Sequence, residues 1–442
     1  MSDHMIHRHF THFTLAIVLL VVLMMPRMAQ AADIQEVTSA SGIKAWLVEE
    51  HSVPIVAINF AFRGGSAHDP AGREGLANLT TALIDEGSGE TIARDFQQQM
   101  QEQALKMSYS VGRGWFYGTV RLLKQNQDES LALVNQALTS PRFDQDAVDR
   151  IRAQIISGIR SDLKNPDAIA SRSWFQTAFP DHPYGRPSKG TEDSVTAITR
   201  DDLVDFHKRV FTRDHLTVSV VGAISAEELK EVLDTLFVSL PAEGQVTSVD
   251  QVQPKLEAGL ITSTLDVPQT TIQFGGKGLK RKDPDYLAAH VANHILGGGS
   301  FTSRLYNEVR EKRGLVYSVF TTLLPYDHTA LYFGGLGTSA DQAQQAIDVV
   351  RAEIDRMAAE GPTEEELEKA KKFLIGSYPL RFDSSSKIAR QLLGIQIEDL
   401  GIDYIDQRNS LIEAITIEDV KRAAKRVFGS DILVTTVGPQ NS

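Results

Sequence analysis

The run IVAINFAF (55–62) is rich in branched and aromatic residues and predicts a strand. A second apolar run, LTVSVVG (216–222), predicts another strand, ending in Val-Gly. Between them lie stretches whose apolar positions recur at helical spacing. Further on, EEELEKAKKF (364–373) is acidic early and basic late, as the helix dipole favours, and predicts a helix. Residues 301–312 predict a helix, Gly314 its C-cap, and 315–320 a strand. Strands, then helices, then strands, without regular βαβ alternation, point to an α+β fold.

The pattern occurs twice. VPIVAINFAFRGGSAHDP starts at Val53, and VPQTTIQFGGKGLKRKDP starts at Val267. TRDDLVDFHKRVF (199–211) returns as TIEDVKRAAKRVF (416–428), and both run into an apolar strand ending in Val-Gly, at Gly222 and Gly438. The offset stays near 214–217 residues, far longer than a solenoid repeat of roughly 20–50. The expected organisation is therefore a duplicated domain, at 33–240 and 255–442. The segment 240–259 has two prolines, two glycines and little apolar periodicity, and predicts an exposed linker, centred on 241–254.

Composition narrows the function classes. With 442 residues the chain is too long for one ordinary domain of roughly 100–200. Its 42 % apolar and 23 % charged residues are those of a globular protein rather than a disordered one. A net charge of −12 argues against a nucleic-acid binder that relies on a broad basic surface. Cysteine is absent, which removes disulfides, thiolate nucleophiles and Cys-type zinc sites together. Residues 14–25 form an apolar run preceded by Arg8 and followed by Ala29-Gln30-Ala31. That is the pattern of a secretory signal peptide over 1–31, shorter than the ~20 residues of a membrane span. Its cleavage would leave a periplasmic protein with no stable membrane insertion; an uncleaved anchor is the alternative.

Three segments carry a family resemblance: RGGSAHDPAGREGLA (63–77), HPYGRP (182–187) and LGGGSFTSRLYNEVREKRGLVYSV (296–319). In their duplicated frame they resemble the M16 (insulinase/pitrilysin-like) metallopeptidases, in particular the short two-domain bacterial members. The likeness spans nearly all of the expected mature chain. It implies two homologous M16-type domains, each a mainly antiparallel sheet packed with helices. In active members H-x-x-E-H follows the GLA on a helix: two histidines one turn apart bind zinc, and the glutamate between them is the general base. A second glutamate, some 75 residues on, is the third protein ligand.

This chain departs at each position. Asn78 and Ala82 stand where the histidines would be, Thr81 where the base would be, and Gly158 at the distal ligand. None of these supplies an imidazole or carboxylate, so no metal and no intact catalytic residue is expected in this chain. The resemblance further implies that Arg310 and Tyr317, seven residues apart, bind the substrate peptide in a partner's active site. Gly297, Gly298 and Gly299 resemble the glycine-rich loop of non-catalytic subunits and imply substrate contact; as residues they permit close backbone approach or a tight turn. From spacing alone, Arg310 and Tyr317 read rather as a surface ion-pair member and a half-buried sheet tyrosine; it is the resemblance that favours the substrate role.

The leading expectation is thus a non-catalytic subunit of a periplasmic heterodimeric zinc peptidase. Zinc would sit in the partner, which carries H-x-x-E-H, and the substrate is a peptide. The alternative is a homodimeric peptide-binding or scaffold protein. His290 and His294 form an H-x-x-N-H that could hold a metal with Glu366 or Glu368, although Asn293 cannot act as a general base. His182 reads as a turn former, Trp174 and Phe175 as core, and Glu398, Asp399, Asp403 and Asp406 as a solvated acidic face.

Overall fold

The computed structural model describes residues 33–440 except Ala258. The expected signal segment 1–31 lies outside the described residues. Among the described residues no helix is long and apolar enough to cross a membrane.

The first half builds a six-stranded sheet. Its strands are β1 (Ile34–Thr38), β2 (Lys44–Glu49), β3 (Ile55–Arg63), β6 (Lys106–Val111), β7 (Trp115–Leu123) and β8 (Leu216–Gly222), with a small hairpin of β4 (Gly87–Ser88) and β5 (Thr91–Ile92) apart from it. The spatial order is β1-β2-β8-β3-β7-β6. The second half builds a five-stranded sheet from β9 (Leu260–Thr264), β10 (Thr270–Lys277), β11 (Val316–Leu324), β12 (Leu331–Thr338) and β13 (Leu433–Gly438). Its order, β11-β12-β10-β13-β9, repeats that of the first sheet without β1. The pairing also repeats: β2 with β8 and β9 with β13 run parallel, and the other registered neighbours are antiparallel. Both halves are thus α+β, with mainly antiparallel sheets, from one duplicated pattern.

Each sheet is covered on one side by the helices of its own half. Phe60, Phe62, Phe96 and Phe237 lie in the first core; Ile272, Phe274, Val350 and Phe428 lie in the second. The other face is covered reciprocally. The helix Pro166–Ala178 of the first half lies on β10 and β13, and the helix Ser385–Ile397 of the second lies on β3 and β8. Side chains fasten both crossings. Thr435 Oγ1 donates to the Ala170 carbonyl (3.1 Å) and Gln273 Nε2 to that of Asp167 (3.2 Å). Ser219 Oγ donates to the Ala389 carbonyl (2.7 Å) and Gln396 Nε2 to that of Val218 (3.0 Å). Trp174, Phe175, Phe179, Leu331 and Phe333 form a third core between the halves, so Trp174 and Phe175 are core as their composition suggests.

The described residues of 240–259 are irregular and mostly exposed, but they are not a free linker. Val246 packs on the first core, and Val249, Val252 and Leu256 on the third. Their backbone is pinned where Val252 N donates to the His328 carbonyl (2.9 Å) and Lys255 N to that of Ala178 (2.9 Å). The sequence hid this because isolated apolar residues in a polar segment show no periodicity.

Candidate functional site

In the first half, the helix Leu76–Thr81 is entered through the buried Asp69, whose carboxylate accepts from Gly75 N and Ala77 N at 2.9 Å each. Desolvation raises the Asp69 carboxyl to about 7, with the backbone donors acting against it. Asn78 and Ala82 are one turn apart and half-exposed. Thr81 is buried, and its hydroxyl donates to the Ala77 carbonyl at 2.6 Å, one turn back. Gly158 lies exposed in the helix Gln145–Asp162, and a Cβ added there would meet nothing within 4 Å. This set does not fit zinc: it offers an amide, a committed hydroxyl and two positions without donor atoms. Among the described residues, no three His, Cys, Asp or Glu side chains stand close enough to hold a metal ion.

The second half has a different arrangement around its edge strand. The helix Tyr286–Asn293 passes into a wider π turn, His294–Gly298, closed by Gly299 N donating to the His294 carbonyl at 2.8 Å. A Cβ on Gly297 would lie 2.5 Å from Thr321 Oγ1 and 2.9 Å from Thr321 N. Only glycine lets this turn sit so close to β11. Gly298 is exposed and Gly299 half-exposed. The predicted helix 301–312 is a 3-10 turn at Ser300–Thr302 followed by a second π segment, Tyr306–Glu311, in which Lys312 N donates to the Asn307 carbonyl at 2.9 Å. Gly314, at φ +64°, ends it as expected.

Arg310 projects from this segment. Its guanidinium lies over the Tyr306 ring at 5.0 Å and pairs with Glu311 at 2.5 Å. Tyr317 follows on β11 and is 82 % exposed. A register shift between Val316 and Val319 turns Tyr317 and Ser318 outward together, while both valines stay buried. Arg310 and Tyr317 thus flank one helix-to-strand junction, each held by its own element. Sequence reasoning passed over three apolar residues of this half: Phe301, Phe320 and Phe373 are large and exposed. Phe301 packs edge-on against Tyr306 at 5.1 Å, and Phe373 stacks on His294 at 5.0 Å.

His290 and His294 share a helix but not a site. His294 is covered by Phe373, whereas His290 faces a cavity with Arg281, Arg381 and Arg408. Desolvation, together with Arg408, the neighbouring His294 and the other two guanidinium groups, brings His290 down to about 4. Glu366 makes two 2.6 Å bonds to Arg304. Burial pushes its carboxyl up, but Arg304 and the Thr363 N–H outweigh it, and Glu366 falls to about 2. Glu368 is exposed. His182 forms the turn expected of it, with Nδ1 accepting from Tyr184 N (3.1 Å) and Nε2 donating to the Asp250 carbonyl (3.0 Å). The acidic stretch is not one solvated face: Asp399 pairs with Lys282, but Glu398 is half-buried in the cavity with His290.

Two family models match in succession. The model of insulinase (peptidase family M16) covers residues 44–192, and that of the peptidase M16 inactive domain covers 197–374. The chain belongs to the M16 peptidase family. Among M16 relatives, the non-peptidase homolog YmxG of Helicobacter pylori is 28 % identical over 82 % of this chain and 83 % of its own length. An uncharacterized zinc protease YmxG of Bacillus subtilis is 24 % identical over 92 % of this chain and 99 % of its own. A crystal structure of a peptidase M16 inactive domain from Pseudomonas fluorescens superposes with a TM-score of 0.87 at 26 % identity, covering 93 % of this chain and 98 % of that one. The chain fits an inactive, non-peptidase M16 homolog.

Proposed function

We propose that this protein is the non-catalytic subunit of a periplasmic heterodimeric M16 zinc peptidase. Its partner carries H-x-x-E-H and the zinc. This chain closes the chamber and presents Arg310 and Tyr317 to the peptide. The observation that carries the reading is the set Asn78, Thr81, Ala82 and Gly158 at the family's zinc positions, in a fold that is otherwise complete. Three further features support it. Arg310 and Tyr317 keep the family spacing and are accessible. Tyr317 stands on the edge strand β11 with the exposed Phe320, and Arg310 on the segment before it, where the exposed Phe301 packs on Tyr306, the kind of apolar surface that contacts a partner or peptide. A relative in Helicobacter pylori is named a non-peptidase homolog. A cation and a phenol at this junction can donate hydrogen bonds to a peptide carbonyl and to its developing oxyanion.

The test is native pull-down of the chain from its source, followed by reconstitution. A stoichiometric partner of similar size with H-x-x-E-H is expected. Replacing Arg310→Ala and Tyr317→Phe together should lower kcat of the complex by about 10²-fold, the scale of one lost oxyanion donor. Unchanged turnover removes the assigned role. Recovery of the chain alone, as a homodimer, replaces the proposal with the peptide-binding scaffold reading.

A further inference from the structure

A cavity of about 310 Å³ opens between the helix Tyr286–Asn293, the turn Tyr378–Phe382 and the helices Ser385–Ile397 and Tyr404–Glu413. Four arginines line it: Arg281, Arg381, Arg390 and Arg408. The lining holds one carboxylate, Glu398. Among the described residues, no carboxylate oxygen lies within 4.0 Å of any of the four guanidinium groups.

The cluster is built, not incidental. Arg408 is 95 % buried, its relative exposure being 5 %. Its Nη1 donates to the Leu374 carbonyl (3.1 Å) and to Asn409 Oδ1 (3.0 Å), and its plane lies 4.1 Å from the Tyr378 ring. Its other donors find no hydrogen-bond partner among the described residues. Arg281 Nη2 donates to the Tyr404 hydroxyl (2.6 Å), and its guanidinium lies 4.6 Å from the Tyr286 ring and 5.1 Å from that of Tyr404. Arg381 and Arg390 are exposed at the mouth. Against Glu398, four guanidinium charges leave three positive charges uncompensated in one cavity. Like charges gathered in a partly desolvated space repel, and a bound anion relieves that repulsion.

We propose that this cavity binds a compact phosphate oxyanion carrying two or more negative charges, such as pyrophosphate or a short polyphosphate. One carboxylate would leave two positive charges unmatched, and guanidinium forks match phosphate oxygens in geometry. The volume is at the small end of ligand pockets, roughly 300–1,000 Å³. All three tyrosine rings of the lining already carry an arginine. With a guanidinium already over each ring, the cavity suits the phosphate moiety rather than a nucleoside.

Calorimetry on the purified full chain tests this with pyrophosphate, inorganic phosphate, ATP and a tetraglutamate peptide. Saturable pyrophosphate binding at one site per chain is expected, with ATP no tighter than pyrophosphate and the peptide not competing. Arg381→Gln with Arg390→Gln should weaken pyrophosphate affinity at least tenfold; both side chains lie at the mouth and make no hydrogen bond among the described residues, so the fold should persist by circular dichroism. Lys44→Gln, far along the chain in β2, should leave affinity unchanged. No saturable binding at millimolar pyrophosphate, or equal affinity in the double variant, overturns the proposal. So does peptide binding in place of pyrophosphate.

Discussion

Asp69 shows how a single buried carboxyl couples this fold to pH. In the folded chain desolvation raises it from an ordinary 3.8 to about 7. Between about pH 4 and pH 7 the unfolded chain is ionised there while the folded one keeps its proton. The folded state then binds more protons, so this group's contribution to stability is complete below pH 4 and is lost as pH rises to 7. A shift of this size corresponds to about 4 kcal/mol. Asp69→Asn keeps an acceptor for one of the two N–H groups and removes the titration. Its stability deficit, read from urea midpoints, should be largest near pH 4 and shrink toward pH 8. Parallel pH profiles for the two proteins would refute the assignment. Roles of this kind were only partly legible in the sequence. The vacancies at Asn78, Thr81, Ala82 and Gly158 are matters of residue type and could be read directly. The surroundings of His290 and Glu398 could not, because Arg281, Arg381, Arg390 and Arg408 converge from separate elements.

The elements of the second half were legible in type and less so in detail. The helix predicted at 364–373 runs Glu364–Gly376, with Thr363 and Glu366 closing its start by reciprocal hydrogen bonds. The strand predicted at 315–320 runs Val316–Leu324. Both π segments escaped prediction, since a five-residue hydrogen-bond step leaves no mark in apolar spacing. The glycine run announced a close approach; that the approach is to Thr321 is a tertiary fact. Two glycines separate these cases. In Gly297→Ala the new Cβ falls 2.5 Å from Thr321 Oγ1, and backbone or strand must move, at about 1–3 kcal/mol. In Gly158→Ala the Cβ enters open space in a helix interior, where alanine is favoured by about 1 kcal/mol. Urea midpoints should therefore shift in opposite directions. A shared direction would mean that the turn is free to relax, and the packing account of Gly297 would fall.

At the scale of the molecule, duplication explains both the architecture and how the halves adhere. The repeated VP…DP and KRVF segments foretold two similar sheets, and the shared strand order is their consequence. What repeats could not foretell is the exchange of helices, each half covering the outer face of the other's sheet. Trp174 is the centre of one crossing. It is fully buried, packs edge-on against Phe333 at 5.2 Å, and donates from Nε1 to the Leu433 carbonyl at 2.9 Å. Each half has its own core, so the third core determines whether they unfold together. Trp174→Ala should cost about 3–5 kcal/mol, concentrated at this junction. The expected result is a single calorimetric transition in the parent and two in the variant. Protease cleavage within 240–259 should rise in step, as Val249, Val252 and Leu256 lose the surface that pins them. If the variant instead melts in one transition at a lower temperature, the halves are coupled mainly through the other crossing, where Ser219 and Gln396 hold the helix Ser385–Ile397 to β8.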